Sequence, residues 1–389
     1  MGNFAGLGNL APNSYYSAGL FGGTPTLNFS QAGNTEIGWE TSKKLDVGIN
    51  FGILDDRITF ETAYYKNQID GLIYNVPQAP SAGLPNSPQT NIGSMYNKGY
   101  EFSVNAQAIT TKDFSWTSSF NFTHNTNLIE SLTPTIEQFT SATSGLETAS
   151  ISRVGTSLGM IYVARTAGVD PATGRRIFIS GSTGRKMLYD HSATVANRWK
   201  YEDGSSAPGI TSQDQIIYGN SQPKFYGGFN NNFKYKNIDM SVTITYQGGF
   251  YIYNGTQASI MDQRFWNNSV DILNRWTAAG QVTSVPRVVA GDNMSNGSAV
   301  PLDINVYKGD FMKLRDISLG YTLPGSLLTK VKVASARIFV SGQNLVILTK
   351  YNGTDPEVSS NGGSNGSQGV ERNSVASGRV FTAGLNFKF

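Results

Sequence analysis

The sequence predicts an all-β chain folded as an antiparallel transmembrane β-barrel, and three observations carry that expectation. Apolar and polar residues alternate with period two in segments of about eleven residues. The connections between these segments alternate between short and long, with the short ones expected on the periplasmic side and the long ones outside the cell. The second face of nearly every segment is Asn, Ser, Thr, Gln or Glu, the chemistry of a hydrated channel. Strands this long match a tilted membrane crossing and exceed the roughly five or six residues usual in soluble sheets. A secreted β-sandwich with its apolar face turned inward is the competing architecture.

The first segment, 44–54, sets Leu45, Val47, Ile49 and Phe51 against Asp46, Gly48, Asn50 and Gly52. In 56–67, Ile58, Phe60, Thr62 and Tyr64 oppose Thr59, Glu61 and Ala63. Segment 98–109 opposes Tyr100, Phe102, Val104 and Ala106 to Glu101, Ser103, Asn105 and Gln107. Phe114, Trp116, Phe120 and Phe122 face away from Ser115, Thr117, Ser119 and Asn121 in 113–124. Phe225, Phe229, Phe233 and Tyr235 mark 224–235, and Ile238, Met240, Val242, Ile244 and Tyr246 mark 237–248. The phase slips within 310–323, where Met312 and Leu314 give way to Ile317, Leu319 and Tyr321, so a bulge is expected near Arg315-Asp316. Ile338 and Val340 define 333–344. Phe381, Ala383, Leu385, Phe387 and Phe389 define 379–389.

Those nine strands are joined by short turns at 54–56, 110–112, 236 and 324–332, and by long connections at 68–97, 125–223, 249–309 and 345–378. One more strand is expected within 20–43, and a small hairpin at 176–179 and 185–189 around Gly181-Ser-Thr-Gly. The total is about nine to eleven strands. Aromatics near strand ends (Tyr64, Tyr100, Phe114, Trp116, Tyr246 and Phe387) have the placement of interfacial girdles.

Composition agrees with this architecture. Charged residues are 15% and apolar residues 39%, both low, while Gly (43) and Asn fill the difference and Asn outnumbers Lys and Arg together (30). Aromatics at 12% argue against disorder. A net charge of +3 without a basic run argues against a nucleic-acid binder. The absence of Cys excludes disulfides, thiolate metal sites and a thiol nucleophile. No apolar run approaches a membrane helix, and the start at Met1 reads neither as a signal peptide nor, with Gly6 where Ser or Thr is wanted, as a myristoylation motif.

Several stretches resemble a known family. Asn97-Lys-Gly-Tyr-Glu-Phe102 is similar to a strand opening common in TonB-dependent receptor barrels. The stretch Lys308-Gly-Asp-Phe-Met-Lys-Leu-Arg-Asp-Ile-Ser-Leu-Gly-Tyr-Thr-Leu-Pro324 resembles the SusC/RagA-like branch of Bacteroidetes, as do 337–345 and Thr349-Lys-Tyr-Asn-Gly-Thr-Asp-Pro-Glu357. Gly219-Asn-Ser-Gln-Pro-Lys224 and Asn274-Arg-Trp-Thr277 add to the likeness. The resemblance implies a barrel of 22 strands with an N-terminal plug, in the outer membrane. It implies glycan or peptide import under a SusD-like surface lipoprotein, powered by the TonB complex. Residues 1–389 then read as the C-terminal part of such a barrel, with plug and TonB box absent from this stretch. A passive diffusion porin and the secreted glycan-binding sandwich are the alternatives.

The residues point to binding rather than catalysis, and no cofactor or metal is expected. His124 falls at a strand end, and His191 beside Asp190 does not make a triad. Asp170-Pro-Ala-Thr-Gly174 reads as a turn, because it lacks the alternating oxygen ligands of a calcium loop. The aromatics Phe250, Tyr251, Tyr253, Phe265, Trp266 and Trp276 share one long connection. Tyr251, Tyr253, Trp266 and Trp276 are candidate contacts for a sugar or for the lid protein; self-packing of the loop is the other reading. Phe381, Leu385, Phe387 and Phe389 are candidate signals for the outer-membrane assembly machinery, as the resemblance suggests.

Overall fold

The computed structural model describes residues 13–75, 81, 83, 88–133, 136–141, 148–264, 267–328 and 333–389. Nine strands form one antiparallel meander: β1 (Thr41–Ile53), β2 (Ile58–Asp70), β3 (Gly93–Thr110), β4 (Phe114–Leu132), β5 (Phe225–Tyr235), β6 (Ile238–Gly248), β7 (Phe311–Thr322), β8 (Ser335–Thr349) and β9 (Val380–Lys388). Each pairs with its sequence neighbour, so the spatial order is the chain order. All nine coincide with the expected segments. Among the described residues, β1 and β9 each have a single neighbour in this sheet, so the wall is open.

Register makes two continuous faces out of nine local patterns. One row runs Phe120, Phe229, Ile244, Leu314 and Val346. Another runs Phe233, Met240, Leu319, Val340 and Ala383. Among the described residues no second sheet covers this side: Ile49 is 62% and Phe381 76% exposed. A sandwich needs that face buried, so the sandwich alternative falls, and the face is the lipid-contacting one. From Phe225 to Tyr235, about 3.3 Å per residue at a tilt near 40° spans about 25 Å, the height of a lipid-facing band. Aromatics stand at both limits of that band: Tyr64, Tyr100 and Phe225 at one, Phe114, Tyr235 and Tyr321 at the other.

The phase slip in β7 is a bulge with Arg315 as the extra residue, since Leu314 opposes Ile244 and Asp316 opposes Thr243. Without it, Ile317 and Leu319 would turn into the lumen. At the turn between β5 and β6, Lys236 takes a left-handed conformation (φ 52°) that lets two residues reverse the chain. In the lumen, Arg337 lies across Gly320 to reach Asp239, its Nε 3.0 Å from Oδ1. A Cβ at Gly320 would sit 2.3 Å from that guanidinium, so a side chain there would push Arg337 aside from its present path to Asp239.

Three expectations need adjustment. Strands β3, β4 and β8 have 18, 19 and 15 residues rather than about eleven. The upper ends of β3 and β4 leave the lipid band, where one-sided alternation is no longer imposed, and Met95, Asn127 and Ile129 are buried there; β8 keeps its alternation to Leu348 and owes part of its length to the register shift around Asn344-Leu345. The region 20–43 holds the expected strand, Thr24–Gln31, but it pairs with an earlier one that was not expected, Tyr15–Phe21, in a hairpin turning at Gly22-Gly23, both at positive φ. The turn at 324–332 contains a short helix, Gly325–Leu328.

The long connections build a layer over one end of the wall. Short strands at 138–141, 150–153, 160–169, 176–179, 186–189, 199–201 and 215–219 form a small sheet, with the expected 176–179/186–189 hairpin inside it. Its core joins all three long connections that follow β4, β6 and β8: Ala149, Ile161 and Val163 pack with Tyr253, Ala258 and Val306, and with Val370. The dry core of this chain therefore lies in the loops. The wall has lipid on one side and water on the other and cannot supply one.

Candidate functional site

The lumen face and the loop layer above it form the candidate site. On β2, β3 and β4 the inward residues Glu61, Glu101, Ser103, Asn121 and Thr123, with Asn50 of β1, line a recess of about 320 Å³. Ser103 Oγ donates to Glu61 Oε2 at 3.4 Å, and Tyr65 OH donates to Asn125 Oδ1 at 2.9 Å. This surface offers hydroxyls, amides and carboxylates, and suits a hydrogen-bonding cargo in water. Among the described residues no group of three or more His, Asp or Glu could hold a metal ion.

The opposite part of the wall carries the strongest electrostatic feature. Lys313, on the inward side of β7, is 0% exposed and reaches Asp355 Oδ2 at 3.2 Å and Glu357 Oε2 at 2.9 Å. Asp355 is 1% exposed. Arg315, thrown out of register by the bulge, pairs with Glu357 through both terminal nitrogens, Nη1 at 3.0 Å, and reaches Thr245 Oγ1 at 3.2 Å. Two cations and two carboxylates balance. The Asp355 carboxylate also accepts from the Glu357 and Ser377 amides at 3.0 and 3.3 Å, closing the loop over itself. The connection after β8 is thereby tied to the lumen wall. Tyr351 reinforces this by packing with Phe250, Ile252 and Phe311.

Burial alone would raise the Asp355 carboxyl. The Glu357 amide and the Lys313 ammonium outweigh it and hold the group below its ordinary value of 3.8. Glu357 follows the same pattern: burial raises it, and the hydrogen bonds from Arg315 and Lys313 hold it below 4.5. A lowered folded-state pKa stabilises above the unfolded value and is lost as pH falls through the folded one. Hydrogen exchange in 351–377, corrected for intrinsic rates, should therefore stay flat from neutrality down to about pH 5 and rise only below about pH 4. A rise above pH 6 would contradict this tether.

The expected aromatic contacts are not brought together. Tyr253 is corrected outright: it is 1% exposed, packs in the loop core and donates its OH to Gly297 O at 3.1 Å, so it offers no face to a ligand. Phe250 is buried likewise. Tyr251 is half-buried, edge-on to Tyr218 at 5.3 Å. Trp276 is half-buried over the Asp170–Gly174 turn, its Nε1 donating to Pro171 O at 2.9 Å. Phe265 and Trp266 lie outside the described residues. The Asp170 turn is self-contained, with its side chain accepting from the Ala172 amide at 3.1 Å. His191 Nδ1 meets Tyr189 OH at 2.9 Å, and His124 stands on the lipid-facing side opposite Tyr100 and Phe225. Phe381, Leu385 and Phe387 are exposed on the outer face of β9, with Phe389 just beyond.

The Lys313–Arg315–Asp355–Glu357 cluster escaped the sequence reading, although both stretches that hold it stood out as motifs. The available signal was two cations within one alternating strand, at a phase slip, with Asp-Pro-Glu in the next long connection.

A family model described as "TonB dependent receptor-like, beta-barrel" matches residues 4–345. "TonB-dependent receptor P3" of Formosa agariphila is 33% identical over 365 residues, covering 92% of this chain and 35% of that protein. "TonB-dependent receptor SusC" of Bacteroides thetaiotaomicron is 26% identical over 400 residues, covering 100% of this chain and 36% of that protein. The structure of the RagAB peptide transporter superposes with a TM-score of 0.79 at 22% identity, covering 97% of this chain and 39% of that one. The chain thus spans a little over a third of the relatives it matches.

Proposed function

The chain belongs to the TonB-dependent receptor-like β-barrel family, and from that premise we propose that it supplies part of the wall and outer loop layer of an outer-membrane nutrient importer. The observation that carries this reading is the pair of continuous faces, apolar outside and polar inside, under a folded cap. The cargo class proposed is glycan or peptide, which matches a lumen recess offering amides, hydroxyls and carboxylates. Residues 1–389 are taken as the C-terminal part of the barrel. Open edges are not tolerated in lipid, so the remaining wall comes from other strands of the same transporter. The plug and the segment that engages the TonB complex are likewise assigned to the rest of the transporter, and a SusD-like surface lipoprotein to the cap. Tyr251 and Trp276 remain candidate contacts for cargo or lid. The test is uptake in cells carrying the full transporter: removing the cap residues 150–219 should abolish uptake while leaving the barrel inserted. Unchanged uptake would overturn the role given to the cap.

Orientation gives a second test. Trypsin added to intact cells should cut at the exposed Arg185 and Lys186, in the cap hairpin, and spare Lys112 and Lys236 in the short turns. The reverse pattern would invert the topology.

We further propose that β9 is the strand read by the outer-membrane assembly machinery. It presents Phe381, Leu385 and Phe387 outward and, among the described residues, pairs along one edge only, which leaves the other for strand addition. In the full transporter, Phe387→Asp or loss of Phe389 should reduce insertion several-fold, whereas Phe381→Leu should change it little. Equal insertion for all three would reduce β9 to plain wall.

A further inference from the structure

Two lysines on the outer face of the wall lack the partner their placement calls for. Lys66 of β2 and Lys98 of β3 oppose each other directly in register. Like charges so placed repel. Both ammoniums nevertheless converge on one ring, that of Tyr96, at 5.2 and 5.0 Å from its centroid. Among the described residues neither makes an ion pair. The carboxylates on this face are engaged elsewhere: Asp70 with Lys43 at 3.2 Å, and Glu130 as acceptor from Gln68.

Their height on the wall matters as much as their charge. The row beneath them is Val47, Tyr64, Tyr100 and His124, with the Tyr64 and Tyr100 rings 5.2 Å apart. That row is the aromatic limit of the lipid band on the side of the long connections. Lys66 and Lys98 therefore stand at headgroup level of the outer leaflet, flanked by Leu45 and Thr126. Long cationic side chains at such a level extend into the headgroup zone.

We infer that Lys66 and Lys98, gathered on Tyr96, form a binding site for a phosphate-bearing glycolipid headgroup of the outer leaflet. One phosphate between the two ammoniums removes the cross-strand repulsion and gains charge-assisted hydrogen bonds, while the acyl chains lie along Tyr64, Phe60 and Phe102. The inference rests on the reading of this chain as a membrane wall.

The test uses the full transporter in detergent, with native mass spectrometry counting retained lipid A, either phosphorylated or stripped of phosphate. Phosphorylated lipid should be retained roughly tenfold or more over the stripped form. Lys66→Gln with Lys98→Gln should erase that preference, Lys66→Arg with Lys98→Arg should keep it, and Lys44→Gln, on the lumen side, should leave it unchanged. Equal retention of both lipids by the parent protein would overturn the site. So would an unaltered preference in the double glutamine variant. Displacement of the lipid by millimolar inorganic phosphate would mark a free-anion site and overturn the lipid assignment. Failure of the underlying membrane reading would look different: the parent protein would stay soluble and monodisperse without detergent.

Discussion

Replacing Lys313 by methionine should destabilise the loop layer by about 3–5 kcal/mol, the usual consequence of leaving a buried charge without its partner. Asp355 is 1% exposed and has Lys313 as its cationic partner, at 3.2 Å; Glu357 keeps Arg315 and suffers less. The loss should be seen as a lower midpoint of denaturant unfolding and as fast hydrogen exchange in 351–377, while the lipid-facing strands stay protected. Combining Lys313→Met with Asp355→Leu should recover much of the stability, because a buried ion pair and a well-packed apolar pair are close in free energy. An unchanged midpoint in the single variant would mean that water reaches the cluster and that the loop is held by Tyr351 and its neighbours instead. Uptake should fall with the single variant and recover with the double one if the tether acts by holding the loop in place.

The second large effect separates the two faces of the wall. Phe229 lies near the middle of β5, between Phe120 and Ile244 on the outer side, and Asn230 is the next residue, facing the lumen. Phe229→Arg places a guanidinium at mid-bilayer and should cost about 2–4 kcal/mol. Asn230→Arg should stay within about 0.5 kcal/mol, since its side chain extends into water. Unfolding of the full transporter from lipid vesicles measures both. Equal costs would show that the apolar face is covered by protein rather than lipid.

Much of this was legible in the chain itself. Strand identity, the lipid-facing set and the short turns follow from alternation, because a strand with lipid on one side and water on the other must write that asymmetry into every second residue. The same logic located the slip at Arg315, since a bulge is the only way to restore phase after an extra residue. The extended upper ends of β3 and β4 were not legible, because that asymmetry ends where the lipid does.

What the tertiary structure alone decided lies in the long connections. Strands of three to five residues, such as Trp199–Tyr201 and Gln215–Gly219, are too short to carry a period. Tyr253 and Tyr251 are two residues apart and chemically identical, yet one lies inside the cluster formed with Val370 and Ala149 and the other packs half-exposed against its edge. Lys313 and Asp355 are 42 positions apart, and their pairing depends on where a loop comes back to the wall. A local pattern records the solvent that each residue faces, whereas an ion pair or a loop core records which distant segments meet, and that is settled by the packed chain as a whole.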